Sequence, residues 1–158
     1  MKPIHGWAFS TLLFLLTSCG GSAAPAVPPT TWPAVTDRAS AGARWAALGI
    51  RSYRFTLHTT CFCLPEEDIV ITVQSGSMVS AIYALSGQAV PASRVSTLVA
   101  TSVEGLLALI DSAAARPAAV LNVTYHPSLG YPQSMYIDWV QNMADDEFGY
   151  TVVNLTML

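Results

Sequence analysis

Apolar residues that alternate with polar ones are the feature that most constrains how this chain can fold. Between Tyr53 and Cys61 the sequence reads Tyr-Arg-Phe-Thr-Leu-His-Thr-Thr-Cys, a pattern with a period of two. This period predicts a β-strand that buries one of its two faces. Further runs of this kind cover residues 69–73, 78–85, 119–125, 135–139 and 148–155. The sequence therefore predicts about six strands.

Two helices are predicted, one before each group of three strands. A short apolar stripe that includes Trp45 ends at Gly49, a residue typical of helix ends. Thr101 and Glu104 have the spacing of a capping box, in which the glutamate reaches back to the first free amide. The helix that they begin is predicted to end before Pro117.

The order of these elements predicts an α+β fold. We expect an antiparallel sheet of about six strands with two helices on one face, in the order helix, three strands, helix, three strands. Residues 86–100 contain Gly87 and Pro91 and are predicted to be irregular. The chain of 158 residues suits one folded domain, which we place at residues 37–158.

The N-terminus has the pattern of an export signal. Lys2 precedes the apolar run Trp7–Leu16, which as a helix would span roughly 15 Å against about 30 Å for the hydrocarbon core of a bilayer. This length predicts a signal peptide over residues 1–18 rather than a spanning helix. The sequence Leu16-Thr17-Ser18-Cys19 resembles the lipobox of bacterial lipoproteins. The resemblance implies cleavage before Cys19 and attachment of lipid to that residue.

The segment after Cys19 is predicted to be a tether. Proline and small residues dominate residues 19–36, so we expect an extended linker that holds the domain away from the membrane. Gly20, rather than aspartate, follows the cysteine, which favours the outer membrane over the inner membrane. The chain has 7 Lys and Arg against 10 Asp and Glu, which argues against nucleic acid as a partner. The expected partners are the membrane, through the lipid, and an envelope protein.

Short segments in both halves of the chain carry a resemblance to a known family. They are Tyr53–Phe55, Cys61–Cys63, Val123–Pro127, Gly130–Pro132, Ile137–Asp138 and Ala144–Glu147. Together they resemble bacterial lipoproteins that share the domain of unknown function 6174, over about residues 40–156. The resemblance implies no activity. In such proteins the residue after Tyr125 is often acidic, whereas this chain has His126.

Cys61 and Cys63 are the remaining cysteines once Cys19 is lipidated. Positions i and i+2 of a strand lie about 6.6 Å apart, at the upper end of the Cα separation that a disulfide tolerates. The favoured interpretation is a structural disulfide on the core face, worth about 2 kcal/mol at best. The alternatives are two reduced, buried thiols, or a redox or soft-metal site completed by His58 or Met78.

Two further groups of residues are candidates for binding. Asp138, Asp145, Asp146 and Glu147 could supply oxygen ligands to calcium, although the EF-hand glycine is absent. The favoured interpretation is that Asp145 and Asp146 close a hairpin through their own backbone amides.

The other group is a candidate binding loop with amphipathic aromatic residues. Its members are Tyr125, His126, Gly130, Tyr131 and Tyr136. Here the favoured alternative is a rigid hairpin whose tyrosines cover the sheet.

The sequence contains none of the common catalytic signatures. It lacks a Gly-x-Ser-x-Gly elbow, a His-Glu-x-x-His pair and a glycine-rich phosphate loop. We therefore predict a membrane-anchored envelope lipoprotein with a non-catalytic binding or structural domain, and no cofactor or metal. The alternative is a periplasmic redox or metal-handling protein that uses Cys61 and Cys63. An enzyme whose site is assembled from scattered residues stays open.

Overall fold

The computed structural model of the protein describes residues 33–62, 66–98 and 100–158. Its elements are α1 (Arg38–Leu48), β1 (Tyr53–Cys61), β2 (Ile69–Gln74), β3 (Ser77–Tyr83), α2 (Ala92–Val95), α3 (Val103–Ala115), β4 (Val120–Tyr125), β5 (Pro132–Asp138) and β6 (Phe148–Met157). The strands form one antiparallel sheet in the order β3-β2-β1-β6-β5-β4. The predicted α+β class and the six-stranded antiparallel sheet are confirmed.

The predicted order of elements is wrong in one place. Residues 86–100 were predicted to be irregular, but they contain the single-turn helix α2, so two helices rather than one separate β3 from β4. The Pro91 carbonyl closes this turn by accepting hydrogen bonds from the amides of Arg94 and Val95. A helix of one turn is too short to show an apolar period in the sequence.

The core lies between one face of the sheet and the helices. Along β1, Tyr53, Phe55 and Leu57 are buried, whereas the alternate residues Arg54 and His58 are exposed. The same cluster of buried side chains takes in Trp45 from α1 together with Val103, Leu106 and Ile110 from α3. The apolar face of the sheet therefore packs against the apolar stripes of the helices.

Both long helices begin at a capping residue. The Asp37 carboxylate accepts a hydrogen bond from the Ser40 amide at 2.8 Å, and the Ser40 hydroxyl accepts one from the Asp37 amide at 3.2 Å. The predicted capping box of Thr101 and Glu104 is wrong. Ser102 caps α3, because its extended backbone directs the hydroxyl to the Gly105 amide at 3.0 Å. This shift by one residue leaves the Glu104 side chain available for other partners.

The predicted signal peptide, Cys19 and most of the predicted tether lie outside the described residues. Residues 33–36 are described, and they contact the domain. The Val35 amide donates to the Pro127 carbonyl at 3.3 Å, and the Val35 side chain is buried. No helix in the described part of the chain is long and apolar enough to cross a bilayer.

Candidate functional site

A groove of about 580 Å³ lies between α1, the first turns of α3 and the connection from α1 to β1. Small residues on α1 and at its C-cap leave this space open, namely Ala39, Gly42, Ala43, Ala46 and Gly49. The remaining lining residues are Arg38, Trp45, Ile50, Arg51, Glu104 and Leu107. The volume lies within the range of roughly 300–1,000 Å³ that is typical of small-molecule sites. We call this space the α1 groove.

The Glu104 carboxylate in the α1 groove is held by two aromatic donors. Trp45 Nε1 donates to Glu104 Oε1 at 2.9 Å, and the Tyr53 hydroxyl donates to Oε2 at 2.8 Å. The Tyr53 oxygen accepts in turn from the buried Val103 amide at 2.9 Å. The rings of Trp45 and Tyr53 pack edge to face, with their centroids 5.2 Å apart. One carboxylate thus joins α1, β1 and α3.

The surroundings of Glu104 keep its carboxyl group ionised at neutral pH. Burial raises its pKa, but hydrogen bonds from Trp45, from its own amide and from Tyr53 outweigh this effect, so the pKa lies below the ordinary value. Burial also raises the pKa of the Tyr53 hydroxyl well above its ordinary value, which keeps this donor protonated. A carboxylate has about four lone-pair sites. Trp45 and Tyr53 occupy one site on each oxygen of Glu104, its own amide is a further donor, and the residue is exposed to solvent.

Arg38 crosses from α1 to α3 beside the groove. Its Nε donates to the Leu107 carbonyl at 3.3 Å, and its Nη2 lies 2.5 Å from Asp111 Oδ2. The guanidinium passes over Gly42, where a Cβ would come within 2.3 Å of Arg38 Nη1. The absence of a side chain at Gly42 therefore allows this crossing.

Arg51 is the second cation of the groove. Its Nη2 donates to the Ser75 carbonyl at 3.1 Å. Within the described residues, no carboxylate lies at ion-pair distance from it. Arg51 therefore presents a guanidinium whose charge is not neutralised by an ion pair in this part of the chain. The α1 groove contains one anion, two cations and an apolar wall, which are the groups of a binding site.

The predicted binding loop after β4 is a turn that packs against α1. Gly130 has φ of 82°, and a Cβ there would lie 2.5 Å from the Ala41 carbonyl oxygen. Arg44, which is only 5% exposed, donates to the carbonyls of Ser128 at 2.8 Å and Pro33 at 2.6 Å. These contacts fix the turn between α1 and the N-terminal segment.

His126 closes the same turn from within. Its Nδ1 accepts hydrogen bonds from the amides of Ser128 at 3.2 Å and Leu129 at 3.0 Å. Its ring stacks on Tyr131, with the centroids 4.9 Å apart. An aspartate side chain accepts from backbone amides in the same way in Asx turns. The His126 Nδ1 therefore supplies the acceptor that an acidic residue could supply at this position.

The three tyrosines of the predicted loop do not share a surface. Tyr131 is 7% exposed and packs against Trp45, whereas Tyr125 is half-buried against the core. Burial raises the pKa of both hydroxyls. Tyr136 lies on β5, in register with Asn122 on β4 and Gly149 on β6, and is 40% exposed. The three tyrosines therefore do not form a single binding surface.

Cys61 differs from the prediction in its burial. We expected a core position, but Cys61 is exposed at the end of β1. Its parity is that of the buried residues, and burial falls along the strand because its last residues extend beyond the core. Cys63 lies outside the described residues, so the predicted disulfide stays a prediction. His58 Nδ1 lies 2.6 Å from Asp68 Oδ1, and Met78 packs against the core.

The acidic residues after β5 form an irregular connection to β6. Asp145 has φ of 72°, a conformation that aspartate tolerates in turns. Asp138 Oδ1 and both Asp146 carboxylate oxygens are buried and have no hydrogen-bond partner among residues 33–62, 66–98 and 100–158. Among the residues described, no group of three or more His, Cys, Asp or Glu side chains is arranged to hold a metal ion.

Sequence reasoning missed the residues that matter most here. Glu104 was interpreted as a backbone cap, and Arg44 was not considered. A cation inside the apolar stripe of α1, directly before Trp45, was the available signal for Arg44. No local signal shows that Glu104 meets Tyr53, because these residues are 51 positions apart.

The fold and groove together define a small α+β domain with an open site on its helical side. The chain belongs to a family described as a family of unknown function, DUF6174, which matches residues 37–157. The resemblance in the sequence to this family is therefore confirmed. No curated protein and no solved structure matches the chain.

Proposed function

We propose that the protein is a lipid-anchored lipoprotein of the bacterial envelope whose domain binds a ligand, without catalysis, in the α1 groove. The signal-like N-terminus and the lipobox resemblance support the anchor at Cys19. The ionised Glu104 carboxylate, fixed by Trp45 and Tyr53 and still open to the groove, is the observation that carries the binding role.

The chemistry of the groove supports binding rather than catalysis. Among the described residues, its lining contains two guanidinium groups, one carboxylate and apolar side chains, with no imidazole, thiol or hydroxyl. Nucleophilic catalysis needs an activated hydroxyl, thiol or amine beside a base. Fixed, charged hydrogen-bonding groups on an apolar wall instead provide orientation and specificity for a bound molecule.

Photo-crosslinking in the native envelope tests the groove. A photo-reactive amino acid would replace the exposed Ala43 in the groove and, as a matched control, the exposed Ser80 on β3. We expect adducts from position 43 that Glu104→Gln weakens, and none of these adducts from position 80. Identical products from both positions would reject the groove as the binding site.

The anchor is tested separately with Cys19→Ser. We expect this variant to lose lipid labelling and to leave the membrane fraction, because a stable anchor needs the acyl chains. A variant that is still lipidated and membrane-bound would contradict the proposal for the N-terminus.

A second candidate function is favoured by the exposure of Cys61. This residue lines a cavity of about 320 Å³ with Phe62, Tyr136 and Phe148, at an accessible end of the sheet. An accessible disulfide sulfur can take part in thiol–disulfide exchange, and soft-metal binding at this position would first require Cys61 to be reduced. Thiol titration and metal analysis of protein purified from the envelope distinguish this function. Stoichiometric copper or zinc that is lost on replacing Cys61 and Cys63 with serine would favour it over a structural disulfide.

A further inference from the structure

We infer that the α1 groove takes a small zwitterion, a molecule that carries a primary amine and a carboxylate on an apolar body, such as a short peptide. This inference rests on the proposed binding role of the groove and names the class of ligand. The amine would meet Glu104 and the carboxylate would meet Arg51, and both of these residues line the groove.

Glu104 provides the site for the amine. Its two oxygens are each fixed by one aromatic donor, so the carboxylate is oriented before a ligand arrives. An ammonium group carries three donors and no acceptor. It therefore fits a carboxylate such as Glu104, which lines the groove, and an anionic ligand group does not.

Arg51 provides the site for the carboxylate. A guanidinium has five N–H donors in a planar fork that matches a carboxylate. One of these donors is used by the Ser75 carbonyl. Arg38 is less suited to this role, because Asp111 neutralises it and Leu107 accepts from its Nε.

The balance of charge favours a zwitterion over a ligand of one sign. With Arg38 paired to Asp111, the lining contributes one unpaired anion, Glu104, and one cation without an ion pair, Arg51. A dianion would face Glu104, and a dication would face Arg51, so each would meet repulsion. The groove is also lined by Ile50, Leu107 and small α1 residues, which suit an apolar body.

Calorimetric titration with three related probes tests the inference. The probes are L-alanyl-L-leucine, its N-acetylated form and its C-terminal amide. We expect the free dipeptide to bind the wild-type protein about tenfold or more tightly than either blocked form, since each blocked form loses one charge-assisted contact. Absence of dipeptide binding at millimolar concentration would overturn the inference.

Two variants assign the contacts to residues. Glu104→Gln should abolish the preference for the free amine and keep the preference for the free carboxylate. Arg51→Gln should do the reverse, and the exposed Arg116→Gln should keep both preferences. A Glu104→Gln protein that still prefers the free amine would reject the assignment.

Folding of each variant is checked by thermal unfolding. Ala43→Phe fills the groove from an exposed position and should abolish dipeptide binding without unfolding the domain, so it tests the site even if Glu104→Gln is unstable. If position 43 forms adducts in the envelope but the protein binds no dipeptide, the groove is still the binding site and the zwitterion is rejected as its ligand. If position 43 forms no adducts and the protein binds no dipeptide, the groove is rejected as a binding site.

Discussion

Arg44 and Trp45 are neighbours on α1, but they belong to two different sides of the helix. Arg44 lies under the turn after β4, where it donates to two backbone carbonyls. Trp45 lies at the α1 groove, where it donates to Glu104. We call these the turn side and the groove side of α1.

The two sides differ in what their polar groups contact. On the turn side, Arg44 and His126 contact backbone groups of the same chain, and Gly130 allows no side chain beside Ala41. On the groove side, Glu104 contacts two donors and also faces open space. Buried polar groups that find all their partners within the chain contribute to stability, whereas open hydrogen-bonding capacity is what a ligand can use.

Arg44→Ala should have the largest effect on stability. It removes two charge-assisted hydrogen bonds to the carbonyls of Ser128 and Pro33, so we expect the free energy of unfolding to fall by about 4 kcal/mol. The exposed Arg116, which lies over the Trp139 ring at 4.1 Å, is the control, and Arg116→Ala should cost less than about 1 kcal/mol. Denaturant unfolding measures both. If both variants lose the same free energy of unfolding, the buried hydrogen bonds of Arg44 do not stabilise the fold more than the exposed contact of Arg116.

Gly130→Ala should have the second-largest effect on stability. A Cβ at this position meets the Ala41 carbonyl and Arg44, and the positive φ adds backbone strain, so we expect a loss of about 3 kcal/mol. Gly87 is the matched control, because its φ is 68° and nothing lies within 4 Å of its Cβ position. Gly87→Ala should cost about 1 kcal/mol. If the two variants lose the same stability, the turn is not packed tightly against α1.

His126→Ala should have a smaller effect. It leaves the amides of Ser128 and Leu129 without their side-chain acceptor, as in the loss of a helix cap, and we expect a loss of about 1 kcal/mol. His126→Asp should restore most of this stability, because a carboxylate can accept from the same amides. Failure of aspartate to restore stability would show that stacking on Tyr131 matters more than the Nδ1 acceptor.

Glu104→Gln on the groove side should change stability least, and the change should depend on pH. The folded pKa of Glu104 lies below its unfolded value, so its ionised form stabilises the fold above the unfolded pKa, and this contribution is lost as the pH falls through the folded pKa. Because the side chain is only partly buried and solvent screens its charge, we expect less than about 1 kcal/mol.

The measurement is denaturant unfolding of the wild type and Glu104→Gln from about pH 7 to about pH 3. The difference between the two proteins should shrink on acidification. A difference that grows with acid would mean that the pKa of Glu104 is raised, and the groove would then lack its anion at neutral pH.

Much of the fold could be predicted from the sequence, because strands and amphipathic helices have local periods. The alternation in β1 and the stop at Gly49 both correspond to observed elements. The single turn of α2 was missed because it is too short to show a period, and the cap at Ser102 was missed because Thr101, one residue earlier, has the capping-box spacing to Glu104.

The candidate site could be predicted much less well. Cys61 has the parity of a core residue, yet it is exposed because the strand extends beyond the core. Tyr125, Tyr131 and Tyr136 are close in sequence, but they differ in exposure and surroundings. The position of a residue in the alternating pattern determines which face of the sheet its side chain is on. It does not determine whether other elements cover that face at this point of the strand.

The sequence by itself determined the α+β class, the antiparallel strands and the family, since periodicity and local motifs are properties of short segments. Only the tertiary structure decided that Glu104 meets Trp45 and Tyr53, and that Arg44 holds the turn at Ser128. These contacts join residues between 51 and 84 positions apart. Which distant polar groups come within hydrogen-bond distance depends on how the helices pack on the sheet, and no local pattern records that packing.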